Sequence, residues 1–411
     1  MEKKNTVKIL HTADWHLGLR LYKKELHEEH RKFFAWLLQL ISNQDIDVLL
    51  ISGDIFDQTN PSNDTRKLYY DFLRQIINLN CLVVITGGNH DSPGILNAPR
   101  DILEMLQIYV IGNVPEKMED EIIELLDKDG STAGIICAVP FIREQDIHRF
   151  TFGETFDDKR QQVSAAIRYH YQELEKFCKG KYTVPMIAMG HLFAAGASTS
   201  DSEREIQIGY QSPVTADDFP PGFDYIALGH IHRPQMVAKQ KRIRYSGSPI
   251  ALSFSEFDDQ KIVIELELTA NGILQTDHPV PVFRKLVKST GSFDKVKKEM
   301  EDFKNKGVSK AWAELMIVED VASPMIQSAV STFVADFASD EIEILNHRIT
   351  SNMAMQGIND MVDDHTQLED LRPVMVLSRM MESGNFSEEE QGMIMQAFLE
   401  LTEMEEGDNE E

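Results

Sequence analysis

The chain has 411 residues, 42% of them apolar and 26% charged, which leaves room for two to three domains and excludes disorder of the whole. No segment reads as a secretory leader or a membrane span, and Cys81, Cys137 and Cys178, widely spaced among apolar neighbours, read as reduced core thiols, so a cytoplasmic protein without membrane attachment is expected. The net charge of −26 would repel a polyanion if it were evenly spread, but residues 351–411 hold sixteen acids against two bases and carry over half of the excess.

From Val7 to about residue 270, short β-rich runs alternate with amphipathic segments, the pattern of an α/β domain. The runs are Val7 to Ala13, Val48 to Ser52, Leu82 to Thr86, Gly134 to Val139, Met186 to Gly190, Tyr225 to Leu228 and Lys261 to Leu268. Between the first two, Leu26, Phe33, Leu37, Leu40 and Ile41 share a helical face, with Glu28, Glu29, Arg31 and Lys32 expected to point away. A second helix is predicted after Pro61, carrying Leu68, Phe72, Leu73 and Ile76. Residues 1–280 are therefore expected to form the main domain. Residues 283–350 read as a smaller β-α-β-α-β domain, whose helices begin behind Ser292 and behind Ser323 with Pro324.

Residues 351–411 read as a linker, two short helices and an acidic tail. Leu371, Val374, Leu377 and Met381 form one apolar face and Ile394, Phe398 and Leu401 the other, and nine of the eighteen methionines lie in this segment. Such a hairpin cannot bury itself alone; it docks either on a partner's helices or on the chain's own globular part.

Several strands end in Gly or Asp followed by His or Asn, which delivers polar side chains to the carboxyl rim where α/β sheets bind ligands. The motifs are Asp14-Trp15-His16, Gly53-Asp54 with Asp57, Gly88-Asn89-His90-Asp91, Gly190-His191 and Gly229-His230-Ile231-His232. Each alone is weak, but five in this order offer imidazole and oxygen donors without thiolates, which suits Mn²⁺ or Fe²⁺ better than Ca²⁺ or structural zinc. Asp54 has two oxygens and can bridge a pair of cations that activate water and clamp a phosphoryl centre. Trp15 reads as wall packing rather than a stacking platform.

These five elements, in order and without a gap, resemble the calcineurin-like metallophosphoesterase superfamily. The resemblance implies a four-layer α/β/β/α sandwich. It implies one metal on Asp14, His16, Asp54 and His232, a second on Asp54, Asn89, His191 and His230, His90 as the acid at the leaving oxygen and Asp57 as its orienting partner. Protein phosphatases of the superfamily carry Asp-Arg-Gly where this chain has Asp57-Gln58-Thr59. The stretches His11 to Gly18, Phe56 to Ser62, Gly88 to Pro93, Tyr245 to Pro249 and Ser253 to Glu256 are instead similar to the SbcD-type nuclease branch.

That branch implies a Mn²⁺-dependent DNA exonuclease and endonuclease with a small α/β capping domain and a C-terminal helical hairpin. It also implies a homodimer assembled into a heterotetramer with an SbcC-type coiled-coil ATPase, acting in DNA end processing, repair and recombination. The alternative is a phosphatase or cyclic-nucleotide phosphodiesterase on the same core. Lys239, Lys241, Arg242 and Arg244, with no acid among them, are the candidate DNA-binding stretch, alongside the run from Arg284 to Lys310; a solvated basic face accounts for either equally well.

Overall fold

A computed structural model describes residues 6–143 apart from 128, residue 146, residues 159–198 apart from 196, residues 214–351 apart from 270, 306, 308, 321 and 322, and residue 395. The described residues form a mixed α/β protein with two six-stranded sheets: the first is parallel from Val7–Thr12 to Ile108–Ile111 and antiparallel at its other edge, the second is parallel in the middle and antiparallel at both edges. The first runs in the order Gly272–Pro279, Ile262–Thr269, Val7–Thr12, Val48–Ser52, Leu82–Thr86 and Ile108–Ile111. The second runs Gln235–Met236, Ile243–Tyr245, Tyr225–Gly229, Met186–His191, Thr132–Cys137 and Ile122–Leu126.

The central strands are apolar on both faces, and alternation decides which neighbour each side chain meets. Ile136, Ile187, Met189, Tyr225 and Ala227 of the second sheet join Ile9, Leu50, Val84, Ile264 and Leu266 of the first in one buried cluster. Their alternates Ile135, Cys137, Ala188, Ile226 and Leu228 pack on Val163, Ala166, Ile167, Tyr171 and Leu174 of the helix Lys159–Lys181. That helix is a feature the sequence reading missed: its inward face is built partly from Ala, Tyr and Cys, so its hydropathic contrast is faint.

The helix His27–Gln44 buries Phe33, Phe34, Leu37 and Ile41, and Asn63–Ile76, capped by the Ser62 hydroxyl on the Thr65 N–H, buries Leu68, Phe72, Leu73 and Ile76. Glu29 corrects the outward assignment: it is buried and paired with Arg284, because the segment after residue 280 returns over that helix face.

The chain divides into two compact units, residues 1–287 with 305–312, and residues 288–304 with 313 onward. Strands Leu286–Gly291, Ala311–Glu319 and Ile342–Ser351 form a three-stranded sheet, with helices Phe293–Asp302 and Pro324–Asp336 between them in the chain. Ser292 and Ser323 cap these helices as expected, accepting from the N–H groups of Lys295 and Ile326. The predicted docking residues Leu371, Val374, Leu377, Met381, Ile394, Phe398 and Leu401 lie outside the described residues. Among those described, no helix is long and apolar enough to cross a membrane.

Candidate metal centre

The site lies where strands of both sheets end. Asp14 and His16 follow Val7–Thr12, Asp54 follows Val48–Ser52, and Asn89 and His90 follow Leu82–Thr86. His191 closes Met186–His191, and His230 and His232 follow Tyr225–Gly229. Hydrogen bonds draw the two rims together: Ser52 Oγ donates to the Ala227 carbonyl at 3.0 Å, and the His230 N–H donates to Asp14 Oδ1 at 2.8 Å. A Cβ on Gly229 would sit 1.8 Å from the Ser52 carbonyl, and one on Gly88 would sit 2.1 Å from Asp54 Oδ1, so only glycine permits either approach. Four of the seven candidate ligands, Asp14, His16, Asp54 and His230, have φ between 45° and 102°, left-handed backbone that costs non-glycine residues energy and is held here by the surrounding bonds.

The side chains converge in overlapping groups. Asp14, His16 and His232 offer ligand atoms within 4.8 Å of one another, as do Asp54, His191 and His230, and also His16, Asp57 and His90. Asp54 Oδ2 lies 3.1 Å from His191 Nε2 and 3.5 Å from His16 Nε2, and so sits between the first two groups. Asn89 Oδ1 joins the second, 2.9 Å from His191 Nε2 and 3.2 Å from His230 Nδ1. Asp14 Oδ2 and His16 Nε2 are buried without a hydrogen-bond partner. Buried polar atoms of this kind are costly unless something binds them, and the imidazole, carboxylate and amide donors suit a divalent transition metal, so the residues fit a metal centre.

The electrostatics make the same demand. Burial pushes the Asp14 carboxyl up to about 6. Burial works against charge on His191 too, but Asp54 and then Asp14 hold its imidazolium at about 9. For His16, the Asp57 hydrogen bond and the charge of Asp54 overcome burial, again to about 9. Burial, reinforced by neighbouring His191, pushes His230 down to about 3. Carboxylates matched by protonated imidazoles are groups whose protons a cation displaces.

His90 sits at the edge of the centre, its ring 4.8 Å from that of His16. Its N–H donates to Asp54 Oδ1 at 2.9 Å, and its Nδ1 lies 2.8 Å from the Asp57 carbonyl oxygen. Asp57 thus meets His90 through its main-chain carbonyl, while its carboxylate lies 3.3 Å from His16 Nδ1. Trp15 is wall packing, as read: it is fully buried against Phe33, Phe34 and Phe72, with Nε1 donating to Thr12 Oγ1.

The sequence reading missed the scaffold behind these groups. Buried Asp91 accepts the N–H groups of Ile55, Phe56 and Gly88, tying the Asp54 and Asn89 loops together. Arg143 Nη2 donates to the carbonyls of Gly88 and Asp91, bracketing Asn89 and His90. Glu256 lies buried 3.4 Å from His232 Nδ1. Of these, Asp91 and Glu256 stood inside stretches noted for resemblance; Arg143 had no local signal.

The basic stretch is split. Lys239 and Lys241 are exposed, but Arg242 donates to the carbonyls of Phe219, Pro220 and Phe223, and buried Arg244 gives both terminal nitrogens to Asp277 at 2.7 and 3.0 Å. Of the four candidate cations, Lys239 and Lys241 face solvent, while the two arginines reach inward to acceptors that only the fold supplies.

A family model described as calcineurin-like phosphoesterase matches residues 7–234. The SbcD subunit of the nuclease SbcCD from Escherichia coli (strain K12) is 36% identical over 323 residues, covering 76% of this chain and 78% of that protein. The SbcD subunits from Rhodobacter capsulatus and Bacillus subtilis (strain 168) are 35% and 32% identical over 290 and 257 residues, covering 68% and 61% of this chain and 71% and 63% of their own lengths. Fold and centre define a metal-dependent phosphoesterase. The chain belongs to the calcineurin-like phosphoesterase family and, within it, to the SbcD subunits of SbcCD nucleases.

Proposed function

We propose that this phosphodiester hydrolase cuts DNA, as a duplex exonuclease and as an endonuclease on single strands and hairpins, in the cytoplasm, in end processing, repair and recombination. The observation that carries the reading is the convergence of seven donor side chains with buried, unpartnered Asp14 Oδ2 and His16 Nε2 among them. Asp14, His16, Asp54 and His232 would hold one ion and Asp54, Asn89, His191 and His230 the other, with Mn²⁺ favoured by the mixed imidazole and oxygen donors. When bound, such a pair supplies an acidified water and charge neutralisation at the phosphoryl oxygens. The chain's own part is positional. Asp54 is held between the two groups, and the Asp57 carbonyl fixes the His90 ring through Nδ1, leaving Nε2 as the atom that gives a proton to the leaving oxygen.

The clusters on either side of the second sheet support the four-layer α/β/β/α sandwich for residues 1–280, with residues 283–350 as a capping domain and residues 351–411 as a linker and partner-docking hairpin. No phosphate-binding loop for ATP is present in the sequence, so ATP dependence is assigned to a coiled-coil ATPase partner of the SbcC type. A homodimer through helices of the catalytic domain is supported by Ile102 and Met105, exposed at 68% and 85% in and beside Arg100–Glu104; two ATPases would complete a heterotetramer.

The deciding assay compares linear duplex and hairpin DNA with a small aryl phosphodiester in Mn²⁺, with and without the ATPase and ATP. Cleavage of both DNAs is expected. Turnover of the aryl ester with intact DNA would favour the phosphatase or cyclic-nucleotide phosphodiesterase alternative. Deleting residues 366–411 is expected to abolish co-purification with the ATPase while metal-dependent single-strand cutting persists.

A further inference from the structure

The imidazoles of the centre are held from behind in two ways. Behind His191 stands a neutral acceptor, the Ser52 carbonyl, 2.9 Å from Nδ1. Behind His16 and His232, which share a group with Asp14, stand carboxylates: Asp57 at 3.3 Å and Glu256 at 3.4 Å from the respective Nδ1 atoms. Glu256 is 1% exposed, and its second oxygen accepts from Lys261 Nζ at 2.6 Å and the Leu252 N–H at 3.2 Å. Lys261 also donates to the His232 carbonyl at 3.0 Å and to Ser248 Oγ at 3.0 Å, and the Ser248 N–H reaches that same carbonyl at 3.1 Å. One knot of three side chains therefore grips His232 at both its ring and its main chain.

A buried Glu-Lys pair alone would only fasten the chain between residues 246 and 261 to the body of the domain. The contact with the His232 ring adds a second consequence. A carboxylate accepting from Nδ1–H selects the tautomer whose free lone pair is on Nε2, and it raises the basicity of that nitrogen as a ligand. Lys261 cancels the charge, so the carboxylate acts on the ring without adding net negative charge to the interior.

We infer that Glu256 is a positioning residue of the metal centre, fixing the tautomer and orientation of His232 for the ion of the Asp14–His16–His232 group, while Lys261 secures the His232 main chain. The inference rests on the two-ion reading above and makes the two ion sites unequal: one is backed by two carboxylates, while His191 in the other is backed by a main-chain carbonyl.

The test is Mn²⁺ titration of the full-length protein by calorimetry and electron paramagnetic resonance, read without any substrate. The unsubstituted protein is expected to bind two ions and give the spectrum of a spin-coupled pair; fewer than two ions would overturn the two-ion reading and this inference with it. Glu256→Gln is expected to keep one ion at the original affinity and to weaken the other by about ten- to hundredfold, the usual effect of losing such a partner. At the Mn²⁺ concentration that just saturates the original protein, the variant then shows an isolated Mn²⁺ ion, and raising Mn²⁺ restores the coupled spectrum. Equal weakening of both ions, or of neither, overturns the assignment. Glu256→Asp provides the second arm, informative even if the first variant fails to fold: it keeps a carboxylate for Lys261 but draws it back from the His232 ring, so weakening of one ion only supports the inference. Unchanged affinity for both ions in Glu256→Asp would reduce Glu256 to a structural anchor.

Discussion

The strand-end centre and the stretch from Lys239 to Arg244 both bury charged side chains, but to different ends. In the stretch, the guanidinium ends have protein partners: half-buried Arg242 meets three main-chain carbonyls, and buried Arg244 gives both terminal nitrogens to Asp277, leaving only its Nε without one. In the centre, Asp14 Oδ2 and His16 Nε2 have no hydrogen-bond partner, on left-handed backbone held in place by its surroundings. Buried charge that is already paired holds a fold together, whereas buried donors brought close and left open are arranged for something the chain does not supply.

The contrast breaks first at Asp54. It bonds the His90 N–H and lies against His16 and His191, so Asp54→Ala should remove ion binding and reduce DNA cleavage to background. Calorimetry with Mn²⁺ and a duplex cleavage assay check both halves. Retention of two ions by this variant would mean that the shared carboxylate is not what joins the groups.

Next in size is His90, which borders the centre but stands in neither of the two main groups. His90→Gln should keep both ions and lose about 10²- to 10⁴-fold in cleavage rate, the range for a general acid or base. Wild-type cleavage at saturating Mn²⁺ would remove His90 from the mechanism.

A third effect concerns the wall that holds the centre in place. His30 is buried between two carbonyls, 2.8 Å from that of Leu26 and 2.6 Å from that of Trp15, the residue between Asp14 and His16. Burial pushes its pKa from 6.5 to about 4 despite both carbonyls. The unfolded chain then binds a proton that the folded one refuses. The associated stability is complete above about pH 6.5 and lost as pH falls toward 4, up to about 3 kcal/mol for His30 at 1.36 kcal/mol per unit. Calorimetric melting between pH 7.5 and 5 should show His30→Gln losing less stability on acidification than the original protein. Parallel slopes would mean that His30 takes up its proton in the folded state.

The centre was legible because few residue types bind such metals, and because a strand ending in glycine leaves the next side chain little choice of direction. Order and strand ends marked out the motifs that hold Asp14, His16, Asp54, Asn89, His191, His230 and His232, while their division into two ion sites came from the family resemblance. What stayed hidden depends on acceptors contributed from elsewhere in the chain. Glu29 looked outward until Arg284 came back over its helix, and the Asp57 carboxylate turned to His16 while its carbonyl took His90. Arg143 follows no motif and works through two carbonyls more than fifty residues away in sequence. Long side chains carry their charge several bonds from the backbone, so their sequence position says little about where the charge sits.

The smallest expected effect divides the basic stretch itself. Lys239 and Lys241 are exposed and free to meet phosphates, so replacing both with alanine should lower the slope of log affinity against log salt for duplex DNA by about 2, at roughly 0.9 per phosphate contact. Stability should stay within about 0.5 kcal/mol, as for other surface changes. Arg244→Met should do the reverse. It strips Asp277 of a bidentate partner and lowers the melting temperature, while the salt slope stays where it was, because a guanidinium already committed to a carboxylate has no counterion to release on binding DNA. If Arg244→Met flattened the slope as much as the lysine pair does, the Asp277 contact would have to open when DNA arrives, and buried, paired charge in this stretch would serve the ligand as well as the fold.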